Sequence, residues 1–292
     1  MVSRDGVEIP FCHVLLYIIS ILSIGSASIL VKLSNASGVA CAFWRLSISS
    51  IVLGIIYGLW RRGRKRLCGR EVVLLLVSSS SLALHLILWM ESLFRLPIAV
   101  SVTIVVAYPL HLSIAYTVYE KSISHLPTLL GSIIGFLGIL MLFRDAFTSA
   151  TIDIVGVVQS FSASIFAALY FHIGRVLRRS MDLELYTASV YGIGASVVLL
   201  YSIFVEENVL SYIPSSWMWF LMLAIIPTIG GHTVMNYLLK FYRSSTVASI
   251  ALTEPVVATI LASTILREPI EFVYLIALTK VLIGLYIVIR YS

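Results

Sequence analysis

Apolar stretches long enough to cross a bilayer recur from one end of this sequence to the other. A helix needs about 20 apolar residues to span ~30 Å of hydrocarbon. On that scale the first half supplies Cys12–Leu33, Val39–Trp60, Val72–Met90, Pro97–Tyr119 and Pro127–Phe143. The second half supplies Ile152–Ile173, Leu185–Val205, Trp217–Leu239, Thr246–Leu266 and Phe272–Ile289. The loops between them are too short for a soluble domain. With 60% hydrophobic and 12% charged residues, the chain carries more apolar surface than a soluble fold of this size can hide. The expected fold class is therefore an all-α integral membrane protein of about ten transmembrane helices.

Charge supplies the orientation. The net charge of +6 is not a nucleic-acid signal, because the basic residues sit in short runs between spans. Lysines and arginines gather on cytoplasmic loops, and one side of the predicted topology holds Arg4, the Arg61–Arg66 run, Arg70, Lys121, Arg175, Arg178, Arg179, Lys240, Arg243 and Arg290. The other side holds Arg95, Arg144 and Arg267. Both termini are thus expected in the cytoplasm, with the protein multi-pass in the cell membrane. Residues Met1 to Pro10 set Arg4 against Asp5 and Glu8 ahead of a full-length apolar run, so the first helix is expected to stay attached. Cys12, Cys41 and Cys68 have no metal-type spacing, and no metal or cofactor is expected.

The two halves look alike. Pro109 and Pro255 stand at similar places in spans four and nine, and Gly138 and Gly284 in spans five and ten, each pair 146 positions apart, which is half of the 292 residues. An odd number of spans per half turns the second copy over, the plan of inverted-repeat transporters with a midplane site. The expected units are 1–145 and 146–292, two inverted five-helix repeats forming one transport domain.

Several stretches carry a family resemblance. Gly230 to Pro269, GGHTVMNYLLKFYRSSTVASIALTEPVVATILASTILREP, places an EP pair near mid-helix before a turn at Glu268. ILSIGSASILVKL in span one, VACAFWRLSISSIVL around Arg45 and LPTLLGSIIGFLGILML in span five add to it. The chain resembles the EamA-type branch of the drug/metabolite transporter (DMT) superfamily. The first half departs from the pattern, with Ser122 where the turn glutamate is expected and Glu120 two residues early. The resemblance implies ten helices around a central cavity and secondary transport, often export, of metabolites or amino acids.

An ionisable group at mid-bilayer costs ~2.5–3.5 kcal/mol on insertion scales, so each needs a partner or a wet cavity. Glu254 and Lys280, 14 and 12 residues from Glu268 on neighbouring antiparallel helices, differ in height by about 3 Å. They could pair, or both could face the cavity, Glu254 as a proton or cation site and Lys280 as a contact for an anionic group. Arg45 suits a carboxylate or phosphate through its planar fork, while Lys32 is near enough to a span end to snorkel. His85 with Trp89, and His232 with Asn236, each share one helix face at a spacing of four. Tyr108, at the position equivalent to Glu254, together with His111 and Tyr170, completes the candidate cavity lining. For each histidine a packing role competes with a relay role. Gly54xxxGly58 and Gly131xxxGly135 permit close helix approach within the chain or between two copies, and monomer and homodimer both stay open.

No HExxH, GxSxG or P-loop pattern is present, so no catalytic residue is assigned and the chain is read as no enzyme. The expected partners are a small-molecule substrate, the lipid bilayer and, through Glu254, coupled protons. A lipid or amphipath flippase is the runner-up and an intramembrane enzyme a weaker alternative. The topology predicts that cysteines placed between Arg61 and Arg66 stay unlabelled by a membrane-impermeant maleimide in intact cells, while labelling of that segment from outside would reverse it.

Overall fold

The computed structural model describes residues 10–60, 67–119, 126–142, 153–257, 260 and 272–291. The basic loop 61–66, Glu120, Ser122 and the turn at Glu268 lie outside the described residues. Those described form helices α1 (Phe11–Gly25), α2 (Ala27–Leu33), α3 (Gly38–Trp60), α4 (Gly69–Arg95), α5 (Ile98–Val105), α6 (Tyr108–Tyr119) and α7 (Leu126–Leu142). They continue with α8 (Ile154–Arg178), α9 (Leu183–Phe204), α10 (Pro214–Leu223), a π-helical stretch (Ala224–Thr233) and α11 (Val234–Leu238). The chain then forms α12 (Ser244–Ala248), a 3-10 turn (Ser249–Thr253) and α13 (Phe272–Tyr291). Seven of the spans described are long and apolar enough to cross a membrane, and they match predicted spans one to four and six to eight. The fold is all-helical, and its lipid-facing surface is apolar, as at Ile51, Ile55, Val158, Leu200 and Leu282.

Spans one, four, eight and nine are interrupted. Ser26 separates α1 from α2, and its hydroxyl donates to the Ser23 carbonyl at 2.8 Å. Val106 and Ala107 separate α5 from α6 just before Tyr108-Pro109, and the 3-10 turn stands just before Glu254-Pro255. These last two breaks occupy equivalent places in the two halves. Pro227 lies inside the π-helical stretch. Proline lacks an N–H and its ring crowds the preceding turn, and a widened turn removes both problems.

Helix starts are fixed by acidic side chains. Glu71 accepts from the Cys68 N–H at 3.1 Å, and Asp153 accepts from the N–H groups of Val155 and Gly156 at the start of α8. The Val155 N–H, with help from that of Gly156 and from Arg95, holds the exposed Asp153 carboxylate below its usual range. Its helix-capping contribution is therefore present at neutral pH and fades as acid protonates it. Arg95 at the end of α4 reaches Asp153 at 3.3 Å, joining spans three and six at one surface.

The packing has a regular plan. Along their lengths α4 packs on α8 while α1 packs on the π-helical stretch, and α3 packs on α9. Likewise α5 and α6 lie on α8 as the 3-10 turn lies on α1, and α4 touches α9 as α3 touches the π-helical stretch. Exchanging the first five spans for the last five maps α3 on α9 onto itself and each of the other contacts onto its partner in this set. Spans five and ten, α7 and α13, pair chiefly with each other, where backbones nearly touch. A Cβ added at Gly284 would lie 2.5 Å from the Gly131 carbonyl oxygen and 2.6 Å from the Gly135 nitrogen. Gly54 and Gly58 behave differently, since a Cβ at either would meet nothing within 4 Å, so that pair packs no helix of this chain among the described residues.

The serine run in α4 uses both modes open to it. Ser79 and Ser81 donate to the carbonyls of Leu75 and Val77, whereas Ser78 meets the Tyr186 hydroxyl on α9 at 3.0 Å. Lys32, exposed at the end of α2, places its ammonium 4.6 Å from the Phe94 ring centroid, consistent with an interfacial anchor. Gly284→Ala is expected to destabilise the protein by about 1–3 kcal/mol through backbone crowding. Gly54→Ala should be neutral or slightly stabilising, and thermal unfolding of the two purified variants in detergent checks the contrast.

Candidate functional site

The widened turn of span eight presents Thr228 toward α3. Its hydroxyl donates to the Leu223 carbonyl five residues back at 2.8 Å, the spacing that a π-helical turn brings into reach. The same oxygen accepts from Arg45 Nε at 2.8 Å. Arg45 is completely buried, and its Nη1 and Nη2 have no hydrogen-bond partner. A guanidinium enclosed with two open amines is a costly arrangement that demands a reason.

Glu254 follows the 3-10 turn of span nine and lines the same small cavity as Arg45. It is 4% exposed, and its Oε1 is unpartnered. The cavity thus holds an open cation and an open carboxylate oxygen with no hydrogen bond between them. Aromatic and imidazole rings close it. His85 Nδ1 lies 3.0 Å from the Ala163 carbonyl, which can only accept, so that nitrogen carries the proton and a neutral His85 offers Nε2 as an acceptor. Trp89, one turn along α4, stacks on His85 at 6.2 Å with 7° between planes, and its indole N–H is unpartnered. His232 approaches His85 at 6.3 Å and stacks on Phe171, which in turn stacks on Tyr108 at 5.4 Å.

The enclosed space among these groups is about 20 Å³, room for roughly one water. The site is closed in this conformation, and a solute of several heavy atoms fits only if the surrounding spans separate. The structure therefore gathers Arg45, His85, Trp89, Tyr108, His232 and Glu254 of the sequence-predicted residues around one chamber.

The others lie elsewhere. Asn236 and Tyr170 form a layer behind the chamber: Asn236 Nδ2 donates to the Tyr170 hydroxyl at 2.5 Å and to that of Tyr191 at 3.4 Å. Tyr191 meets the Thr233 hydroxyl at 3.0 Å, closing a buried network under His232. His111 lines a separate cleft between α6 and α8. Lys280 places Nζ 3.8 Å from Met141 Sδ on α7, so it neither pairs with Glu254 nor reaches the chamber. Its side chain points to span five, a direction that residue spacing along a loop does not report.

Sequence reasoning missed Thr228, Tyr191 and Phe171. Pro227 in the middle of span eight was the available sign of irregular backbone there. The threonine itself looked like any other hydroxyl in a helix.

Comparison with known proteins places this geometry in context. The model of the EamA-like transporter family matches residues 154–290, spans six to ten. No curated protein matches the sequence. A solved structure, described only as the crystal structure of a protein, superposes with a TM-score of 0.76 at 16% identity, covering 94% of this chain and 96% of the other. At that identity the likeness speaks for the fold alone, and it extends over both halves. Thr228→Val should remove the one hydrogen-bond partner of the Arg45 guanidinium and lower stability by about 1–3 kcal/mol, measured as an earlier unfolding transition at unchanged helical circular dichroism.

Proposed function

We propose that the protein is a secondary transporter whose chamber binds a small zwitterion such as an amino acid, a reading supported by the match of residues 154–290 to the model of the EamA-like transporter family. The observation that carries this reading is the unpaired charge in the closed chamber: Arg45 Nη1 and Nη2 on one wall and Glu254 Oε1 on another. A substrate carboxylate would take both guanidinium amines in a two-pronged contact, and its ammonium group would meet Glu254. The rings of His85, Trp89 and Tyr108 would pack on the remainder of the molecule, with the unpartnered Trp89 N–H available to a further acceptor. Ligand and protein charges would then neutralise one another inside lipid, which lowers the cost of each.

Transport follows if the chamber opens to one side at a time. The reading of two inverted five-helix repeats, 1–145 and 146–292, is supported by the contacts that interchange between halves and by the matching breaks before Tyr108-Pro109 and Glu254-Pro255. It is supported too by a family match confined to five predicted spans. Rocking one repeat against the other would carry the midplane site from side to side. Helix breaks at the chamber provide the hinges, because interrupted backbone bends without losing a full ladder of hydrogen bonds. On this reading Glu254 exchanges partners between the substrate ammonium and a proton, coupling export from the cytoplasm to the proton gradient across the cell membrane.

In proteoliposomes loaded with unlabelled amino acids, the protein should accelerate counterflow of a labelled one. Arg45→Lys keeps the charge but loses the planar fork, and should raise the substrate KM on the order of tenfold or more. Glu254→Gln should abolish the pH dependence of flux. Unchanged flux and pH profile in a folded Glu254→Gln protein would remove the coupling role, and unchanged KM in Arg45→Lys would remove the carboxylate site.

A further inference from the structure

Two loops meet at the face where α2 gives way to α3 and α9 to α10, one from the first five spans and one from the last five. The hydroxyl of Ser37 donates to Glu207 Oε1. The Tyr212 hydroxyl donates to the same oxygen at 3.4 Å and accepts from the Ser37 N–H at 3.4 Å. Close by, Ser216 at the start of α10 donates to the Ser34 carbonyl at 2.9 Å, and the Trp44 indole N–H donates to the Val209 carbonyl at 2.8 Å. Trp44 also lies against the Trp217 ring, with centroids 4.4 Å apart.

Backbone shape at both loops serves these contacts. Asn35 and Glu206 are the described non-glycine residues with positive φ, 51° and 57°. Asparagine accepts that conformation readily and glutamate rarely, and such an outlier persists where its surroundings hold it. Here the holding groups are the partners of Glu207, the next residue in the chain. Ser34 and Ser216 are buried and Ser37, Glu207 and Tyr212 are half-buried, so the bonds are partly shielded from competing water. The opposite face has a counterpart. Ser180, 146 residues after Ser34, donates to Glu71 near the start of α4 at 3.0 Å, which joins the corresponding segments with the halves exchanged.

The same two spans are joined again at the chamber. Arg45 stands eight residues after Ser37, about 12 Å further along α3, and its Nε holds Thr228 of span eight. The loops therefore tie spans two and eight together beyond the chamber, and those spans come from different halves. We propose that Ser37, Glu207 and Tyr212 form a latch that keeps the chamber shut toward their face and releases when the halves part. The inference rests on the alternating-access reading, not on which solute the chamber takes. A contact that only stabilises the fold loosens the whole bundle when it is lost. A latch, once lost, opens one face.

The test uses the full-length protein in membrane vesicles of both orientations. Cys12→Ala, Cys41→Ala and Cys68→Ala remove the native thiols, and Ala27→Cys places one reporter at the chamber wall. A separate Asn208→Cys protein, substituted at an exposed site on the Glu207 loop, identifies the preparation that presents the latch face. In that preparation Glu207→Ala should speed labelling of the reporter by a small impermeant methanethiosulfonate on the order of tenfold or more, and Tyr212→Phe about threefold, as the loss of charge-assisted and ordinary hydrogen bonds implies. In the inverted preparation neither variant should speed it. Equal acceleration from both faces marks general loosening and overturns the latch, as do unchanged rates or a reporter that stays unlabelled in every variant. Counterflow by the parent protein decides the transporter reading separately. Transport with unmoved labelling keeps the carrier and loses the latch, and one-sided acceleration without transport does the reverse.

Discussion

Inside a bilayer no water rescues an unpaired polar atom, so a chain that spans it must satisfy its polar groups internally. Most of this protein obeys that constraint through local means. Ser79, Ser81, Ser113 and Thr117 each return a hydrogen bond to a carbonyl of their own helix. The layer behind the chamber obeys it in part through side chains, where Asn236 Nδ2 donates to Tyr170 and Tyr191 and Tyr191 meets Thr233, while Asn236 Oδ1 stays open. Among the buried polar atoms left open, which also include those of Tyr17, Ser20, Gln159 and Ser164, the atoms of Arg45, Trp89, His232 and Glu254 belong to residues that face one space. Evolution of a structural lock would be expected to pair Arg45 with Glu254 directly, since breaking a buried pair is costly. Two separated open charges suit a ligand that carries the complementary pair.

Irregular backbone concentrates at the same place. The π-helical turn around Pro227 contains residues that line the chamber, and the 3-10 turn before Glu254 and the break before Tyr108 lead directly into residues that do. Non-helical backbone at membrane depth is tolerated where protein or a wet cavity surrounds it. The irregularities therefore serve positioning: the widened turn brings Thr228 to Arg45, and a regular turn would rotate it away. Helices α7 and α13, which contribute no residue to the chamber lining, instead pack through glycines at backbone contact. Close contact of that kind suits a pair that keeps its relative position while the central spans shift.

Residue order along the chain made the membrane fold legible. Long apolar runs without charge have no other stable environment, and the helix is the one local structure that pairs its backbone without neighbours. The sequence also suggested two related halves, because Pro109 with Pro255 and Gly138 with Gly284 keep their 146-residue offset. Intramembrane charge marked Arg45 and Glu254 as residues needing an explanation. Those inferences rest on solvation and periodicity, which act residue by residue.

Partnership was decided elsewhere. Residue spacing set Glu254 and Lys280 at similar heights, yet Lys280 turns to Met141 and Glu254 to the chamber wall shared with Arg45, from a span more than 200 residues earlier. Gly54 and Gly131 begin the same GxxxG pattern, yet the first meets nothing and the second meets a backbone carbonyl. Azimuth and neighbour depend on how helices cross, and crossing is fixed by the sum of many contacts between distant segments. The sequence by itself therefore determined the solvent, the spans and the chemistry available at mid-membrane, because these follow from the transfer energy of each side chain. Only the tertiary structure decided which of those side chains meet, because a helix shows its ridges to a partner that the local sequence does not contain.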